Sequence, residues 1–201
     1  MTGRADYHHG DLAASAVDEV LRMMADDPNA TFSLRALAQK LGVAHRALYN
    51  HFADREDLLA AVAARGFAQL ADTLAPMPDA TAFLRGYVCF ALGQPGLYGV
   101  MMGRSYAQFN SHAALRAAAD RTIAVSLGVL ASAGADDETR RREVMRVWMI
   151  AHGGIGLHRA GVLRLRSDGE FVEEILRIAG LAGHAAQPSQ PLWSGAQENT
   201  P

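Results

Sequence analysis

Cysteine is nearly absent from this 201-residue chain: Cys89 stands alone, so no internal disulfide can staple the fold, as fits a reducing cytoplasm. Set among Val88, Phe90 and Ala91, it reads as a small core residue rather than a nucleophile or redox sensor. No uninterrupted apolar run reaches the roughly 18 residues of a membrane helix, and no charged-then-apolar leader opens the chain, so neither a membrane span nor a signal peptide is expected. A surplus of positive charge is also missing. The net charge is −2, and residues 1–65 carry seven basic residues (Arg4, Arg22, Arg35, Lys40, Arg46, Arg55, Arg65) against nine acidic ones. A binder of nucleic acid without sequence preference should be basic, because phosphate neutralisation supplies most such affinity. Any nucleic-acid binding here must therefore rest on local contacts and on association. The motifs of enzymes are lacking as well: there is no GxSxG, no P-loop and no dinucleotide glycine pattern. The histidine pairs His45/His51 and His152/His158 are six apart, which places them on different helical faces rather than at the i, i+4 spacing of paired ligands. No metal, cofactor or catalytic residue is expected.

What is present is helix. Half the residues are hydrophobic, and no period-2 pattern of useful length occurs. The fold class is all-α. In the stretch from Phe32 to Phe52, Leu34, Leu37, Ala38 and Leu41 recur at the i, i+3, i+4, i+7 spacing of one apolar helical face. Gly42 follows at once, where a helix end favours a residue tolerant of positive φ. A second short helix begins near Ala44, burying Ala47 and Leu48 and leaving His45, Arg46, Tyr49, Asn50 and His51 on its other side. Two short helices about a glycine turn form the helix-turn-helix geometry that lays a second helix into the major groove. Arg46 and Asn50 can pair bidentately with base edges, with His45 a further candidate. Tyr49, His51, Arg55 and Ser33 suit phosphates, and Arg35 either role. The bland alternative is an ordinary helical hairpin with a solvated polar face. Basic residues cluster on the presumed DNA side (Arg35, Lys40, Arg46, Arg55), whereas Asp18, Glu19, Asp26 and Asp27 belong to the helix before it.

The flanks extend the pattern. Upstream lie Tyr7-His-His-Gly-Asp-Leu12 and a helix with Leu12, Ala16, Val17, Val20, Leu21 and Met24 on one side. Downstream, Asp54 caps a helix opening Arg55-Glu-Asp-Leu-Leu59. With Gly42-Val43, Leu48-Tyr49-x-His51-Phe52, Arg55 and Leu58-Leu59 in this order and spacing, residues 7–70 resemble the TetR family of transcriptional regulators. Family members carry lysine or arginine where Arg55 stands. They have serine or threonine where this chain has Ala44, so the capping hydroxyl of the second helix is lost. Pro95-Gly-Leu-Tyr98 and Trp148-Met-Ile-Ala-His152-Gly153 are similar to the subgroup named for a Trp, His, Gly pattern in its C-terminal domain.

Periodicity and breakers predict about nine helices in all. A three-helix DNA-binding domain spans 7–53, a larger helical effector-binding and dimerisation domain 54–185, and a tail rich in Pro, Gln, Ser, Gly and Asn, expected to be disordered, 186–201. Val144, Trp148, Ala151 and Ile155 form a stripe on a helix near 137–160. Phe171, Val172, Ile175, Leu176, Ile178, Ala179 and Ala182 form one on a helix near 168–184. Gly153, Gly154 and Gly156 inside the former suggest either close approach of another backbone or a break. The resemblance implies that this pair of helices forms a four-helix bundle in a homodimer, and two-fold symmetry would double the DNA site into a palindrome. Tyr87, Phe90, Tyr98, Met101, Met102, Tyr106, Phe109, Trp148, Met149 and His152 concentrate aromatic and thioether groups. They either line an apolar effector pocket or fill a core. The resulting expectation is a cytoplasmic, homodimeric repressor, released from a palindromic double-stranded operator by a small, largely apolar effector. The rival reading is a helical protein-interaction module that binds no operator.

Overall fold

The computed structural model describes residues 12–132, 134–163 and 165–181, the side chain of Tyr106 excepted. Residues 7–11, the expected tail 186–201 and Ala182 lie outside the described residues, and the helix expected over 168–184 stops earlier, at Ile178, where Ala179 caps it and Gly180 takes φ +71°. Every element among the described residues is an α-helix: α1 Leu12–Asp26, α2 Leu34–Lys40, α3 His45–Tyr49, α4 Arg55–Leu74, α5 Ala80–Gly93, α6 Pro95–Met102, α7 Tyr106–Ser111, α8 Ala113–Leu130, α9 Asp137–Arg159 and α10 Asp168–Ile178. The short α7 is one element more than the sequence pattern predicts. Ser105 starts it with a capping box, its Oγ accepting the Gln108 N–H while the Gln108 side chain accepts the Ser105 N–H, so two otherwise orphan donors are satisfied.

The helices group into two compact units. One holds the chain up to Gln69 together with Gln94–Arg121; the other holds Leu70–Gly93 together with Thr122 onward. In the first unit, α1 buries Leu12, Ala16, Val17, Val20 and Met24, the face its spacing predicts except for Leu21, which is half-buried. Two glycines let α6 lie close to its neighbours. A Cβ on Gly96 would stand 3.0 Å from the Pro28 backbone and 3.2 Å from Met24 Cβ, just past α1. One on Gly66, in the middle of α4, would come within 2.6 Å of Met101 Sδ and 2.8 Å of Leu97 Cδ1. Met101 is 0% exposed, so here the thioether fills the core.

In the second unit, α5, α9 and α10 pack together. α9 buries Val144, Val147, Ala151 and Ile155, and α10 buries Phe171, Val172, Ile175 and Leu176. α9 runs unbroken through Gly153, Gly154 and Gly156. Of the three, Gly154 has a packing reason within this chain: a Cβ there would collide with Ile175 Cδ1. Gly153 and Gly156 face open space. Arg146 of α9 donates to the Ala179 carbonyl at 2.9 Å, satisfying an orphan acceptor at the end of α10. Arg85 of α5 pairs with Glu173 of α10 at 2.6 Å. Cys89 is exposed, not a core residue: it borders an open cavity of about 330 Å³ with Arg85, Leu92, Asp168, Gly169 and Val172. Its neighbours Val88, Phe90 and Ala91 are buried, so the helix turns the thiol outward, on the same side as Arg85 one turn earlier. No helix among the described residues is long and apolar enough to cross a membrane.

Candidate nucleic-acid interface

α2 is started by Ser33, whose Oγ accepts the Ala36 N–H at 3.1 Å, and anchored by buried Leu34, Leu37 and Ala38. It ends in a Schellman motif, with Gly42 N–H donating to Gln39 O (3.1 Å) and Val43 N–H to Ala38 O (3.0 Å). This closure needs φ +69° at Gly42, a conformation open to glycine and costly for any residue with a Cβ. The turn delivers α3, whose buried residue is Leu48. Leu48 is 0% exposed, while His45, Arg46, Tyr49, Asn50 and His51 are exposed around it.

Ala44 occupies the N-cap of α3 in extended backbone, with no side-chain cap hydrogen bond. The His45 ring turns to Tyr49 instead, meeting it edge-on with centroids 5.0 Å apart. α4 follows directly and is firmly started. Asp54 Oδ1 accepts the Asp57 N–H at 2.9 Å, and Asp57 Oδ2 accepts the Ala53 N–H at 3.0 Å. Arg55, exposed at its first turn, holds its guanidinium 5.0 Å above the Phe32 ring, a cation–π contact that fixes its direction. Its Nη1 lies 3.3 Å from Glu56 Oε1.

The ion pairs explain how an acidic chain presents a positive face. Glu19 of α1 takes both Arg22 (2.6 Å) and Lys40 (2.8 Å), and the hydrogen bonds from Arg22 and then Lys40 hold its carboxyl below the usual range. Lys40, expected to flank the DNA side, is thus tied to α1. Arg35 and Arg46 are exposed and make no ion pair among the described residues. Two free guanidinium groups, an amide, a phenol and two imidazoles therefore stand on or beside a five-residue helix raised on Leu48.

Two family profiles match this chain. "Bacterial regulatory proteins, tetR family" covers residues 17–62, and "Tetracyclin repressor-like, C-terminal domain" covers residues 80–179. The chain belongs to the TetR family. It is a DNA-binding transcriptional regulator, not an enzyme. A helix-turn-helix transcriptional regulator of Mycobacterium tuberculosis is 29% identical over 177 residues, covering 82% of this chain and 78% of that one. Among solved structures, a protein from Rhodococcus sp. RHA1 superposes with a TM-score of 0.70 at 24% identity, covering 88% of this chain and 97% of that one. The TetR-like regulator LfrR of Mycobacterium smegmatis, solved in complex with proflavine, superposes with a TM-score of 0.57 at 20% identity, over 88% of this chain and 98% of that one.

Within this TetR-family chain the second group of sequence candidates is scattered. In the second unit, Tyr87 and Phe90 are buried on α5. Trp148 is half-buried, its Nε1 enclosed without a hydrogen-bond partner. Met149 is 64% exposed and His152 is exposed too. In the first unit, Met101 is buried and Met102 half-buried, and Phe109 meets Phe67 edge-on at 5.7 Å. The side chain of Tyr106 lies outside the described residues. Sequence reasoning passed over Arg104, whose side chain is only 4% exposed. The signal was available: a lone cation inside the otherwise uncharged run from Gln94 to Asn110.

Proposed function

We propose that this regulator is a cytoplasmic homodimeric repressor that reads a palindromic operator and leaves it when a small, largely apolar effector binds. The observation that carries the DNA reading is the capped, Schellman-closed α2–α3 turn, which holds Arg46, Tyr49 and Asn50 clear of the core. Arg46 and Asn50 have the donor geometry for base edges, with His45 a third reader. Tyr49, His51, Arg55 and Ser33 serve phosphates, and Arg35 either. Ser33 Oγ accepts a bond within α2 but its hydroxyl proton stays available to donate. The reading head in this proposal runs to residue 53, and residues 54–185 bind the effector and the second copy.

Association is supported by α9. Met145 (50% exposed), Met149 (64%) and Leu157 (48%) line its outward face, and Ile178 of α10 is 55% exposed. Gly153 and Gly156 lie between them with open space where a Cβ would be. A stripe of large apolar side chains around a glycine floor is unfavourable in water and suits a second copy of the same helix. An effector is supported by the aromatic residues Tyr87, Phe90 and Trp148 within the second unit, and by the proflavine complex of LfrR. The enclosed indole N–H of Trp148 is the polar group an apolar ligand with one acceptor would use.

Selection of bound duplexes from a random pool, at two salt concentrations, tests the reading. A palindrome that persists at the higher salt is expected, with release on adding proflavine. Failure to enrich any motif would move the helix-turn-helix to a protein partner. Sedimentation of the full chain as a monomer at the concentrations used would remove the homodimer.

A further inference from the structure

Arg104 is the single residue between Gly103, the C-cap of α6, and Ser105, the N-cap of α7. Its side chain is 4% exposed, yet its charge is poorly answered. Nη2 donates to the Glu56 backbone carbonyl at 3.2 Å and lies 3.8 Å from Glu56 Oε2. Nε and Nη1 are buried with no hydrogen-bond partner. Burial accordingly pulls the guanidinium below its usual value, against a smaller opposing effect of Glu56. The other carboxylate oxygen, Glu56 Oε1, lies 3.3 Å from Nη1 of Arg55, the arginine at the head of α4 that faces out over Phe32. One half-exposed carboxylate thus stands between two arginines. Arg104 is buried; Arg55 is exposed.

We propose that Glu56 sets how much of Arg55's charge DNA meets, and that the buried Arg104 is the counter-charge which draws Glu56 off Arg55. A carboxylate has enough acceptor sites to serve both guanidinium groups, but the closer it sits to one the less it neutralises the other. Phosphate competes with Glu56 for Arg55, and every part of the carboxylate's field taken up by Arg104 favours phosphate. The backbone around this carboxylate is held independently of it. Asp54 and Asp57 bond the turn that opens α4, and His112 Nε2 reaches Asp57 Oδ1 at 3.2 Å. Arg104 therefore acts through Glu56, as a positioning residue that never touches DNA. The inference rests on Arg55 being a phosphate contact.

The test is a double-mutant cycle on the full chain, titrating the in-vitro selected operator duplex and a scrambled duplex. Arg55→Ala should weaken both and lower the salt slope by about one. Glu56→Gln should tighten both. Arg104→Met should weaken both by about two- to fivefold, the range of a partly exposed charge pair, and this loss should vanish in Glu56→Gln and in Arg55→Ala. The same loss in all three backgrounds, or no loss at all, would overturn the inference and leave Arg104 as packing. An Arg55→Ala variant with unchanged affinity and slope would instead overturn the phosphate reading on which it stands. Glu56 is half exposed, so Glu56→Gln folds whatever Arg104→Met does. Tighter binding by Glu56→Gln in Arg55→Ala equal to that in the wild type would likewise refute the coupling.

Discussion

Gly154 of α9 leaves the space that Ile175 Cδ1 of α10 occupies. The two helices approach each other through a hydrogen atom where any other residue would place a methyl. Gly154→Ala should therefore destabilise the chain. Overpacking costs about 1–3 kcal/mol, against about 1 kcal/mol gained in helix propensity. Adding Ile175→Val, which deletes the clashing carbon, should recover part of the loss. Gly128→Ala on α8, where nothing lies within 4 Å, should stabilise by up to about 1 kcal/mol. Urea unfolding of the four proteins checks this, and a Gly154→Ala chain as stable as the wild type would show that Ile175 simply turns aside.

Ala44→Ser should raise stability by about 1 kcal/mol, since the N-cap of α3 already has extended backbone and lacks only the oxygen. The selected DNA sequence should not change. Unfolding and duplex selection on the variant decide the two halves separately.

Arg46→Ala should alter which bases are preferred, whereas Tyr49→Phe should weaken every duplex about equally. Phenylalanine keeps the edge contact with His45 and removes only the hydroxyl. Uniform loss in both variants would refute the division between base and phosphate contacts.

Acid should weaken the fold through carboxylates whose folded pKa is depressed. Glu19 is held low by Arg22 and Lys40, and Glu173 by Arg85. Their contribution is fully present above the unfolded value of about 4.3. It is lost as pH falls through the lower folded values. Glu19→Gln should be less stable than wild type at neutral pH, by about 1 kcal/mol, because its partners Arg22 and Lys40 are half exposed. The gap should close below about pH 4, and a gap that widens with acid would contradict the assignment.

Cys89 should react with a chromogenic disulfide reagent in the native chain, without denaturant, because its thiol opens on a surface cavity. Silence until unfolding would restore the core reading.

The sequence made the α2–α3 turn legible because its causes are local: one apolar face, a glycine at the positive-φ position, a serine cap. α1, α4, α5 and α6 were readable on the same terms. Cys89 was misread because burial depends on what α10 brings beside α5, which periodicity along one helix does not contain. Gly154 looked like a possible break or a contact with another backbone, and only the placement of Ile175, 21 residues away, shows which packing it serves. The Glu56–Arg104 relationship spans 48 residues and leaves no mark in either local pattern. Met149 and His152 shared a helix with Trp148, but their outward rotation follows from the face that α5 and α10 cover.

Leu48 is the residue by which α3 is rooted, and the side chains around it add little to the core. Operator choice and foldedness are therefore separable traits. Arg46, Asn50 or His45 can be exchanged, by drift or by design, without weakening the platform beneath them. On the proposed division of contacts, such a head can take on a new DNA preference while the scaffold beneath it keeps its fold.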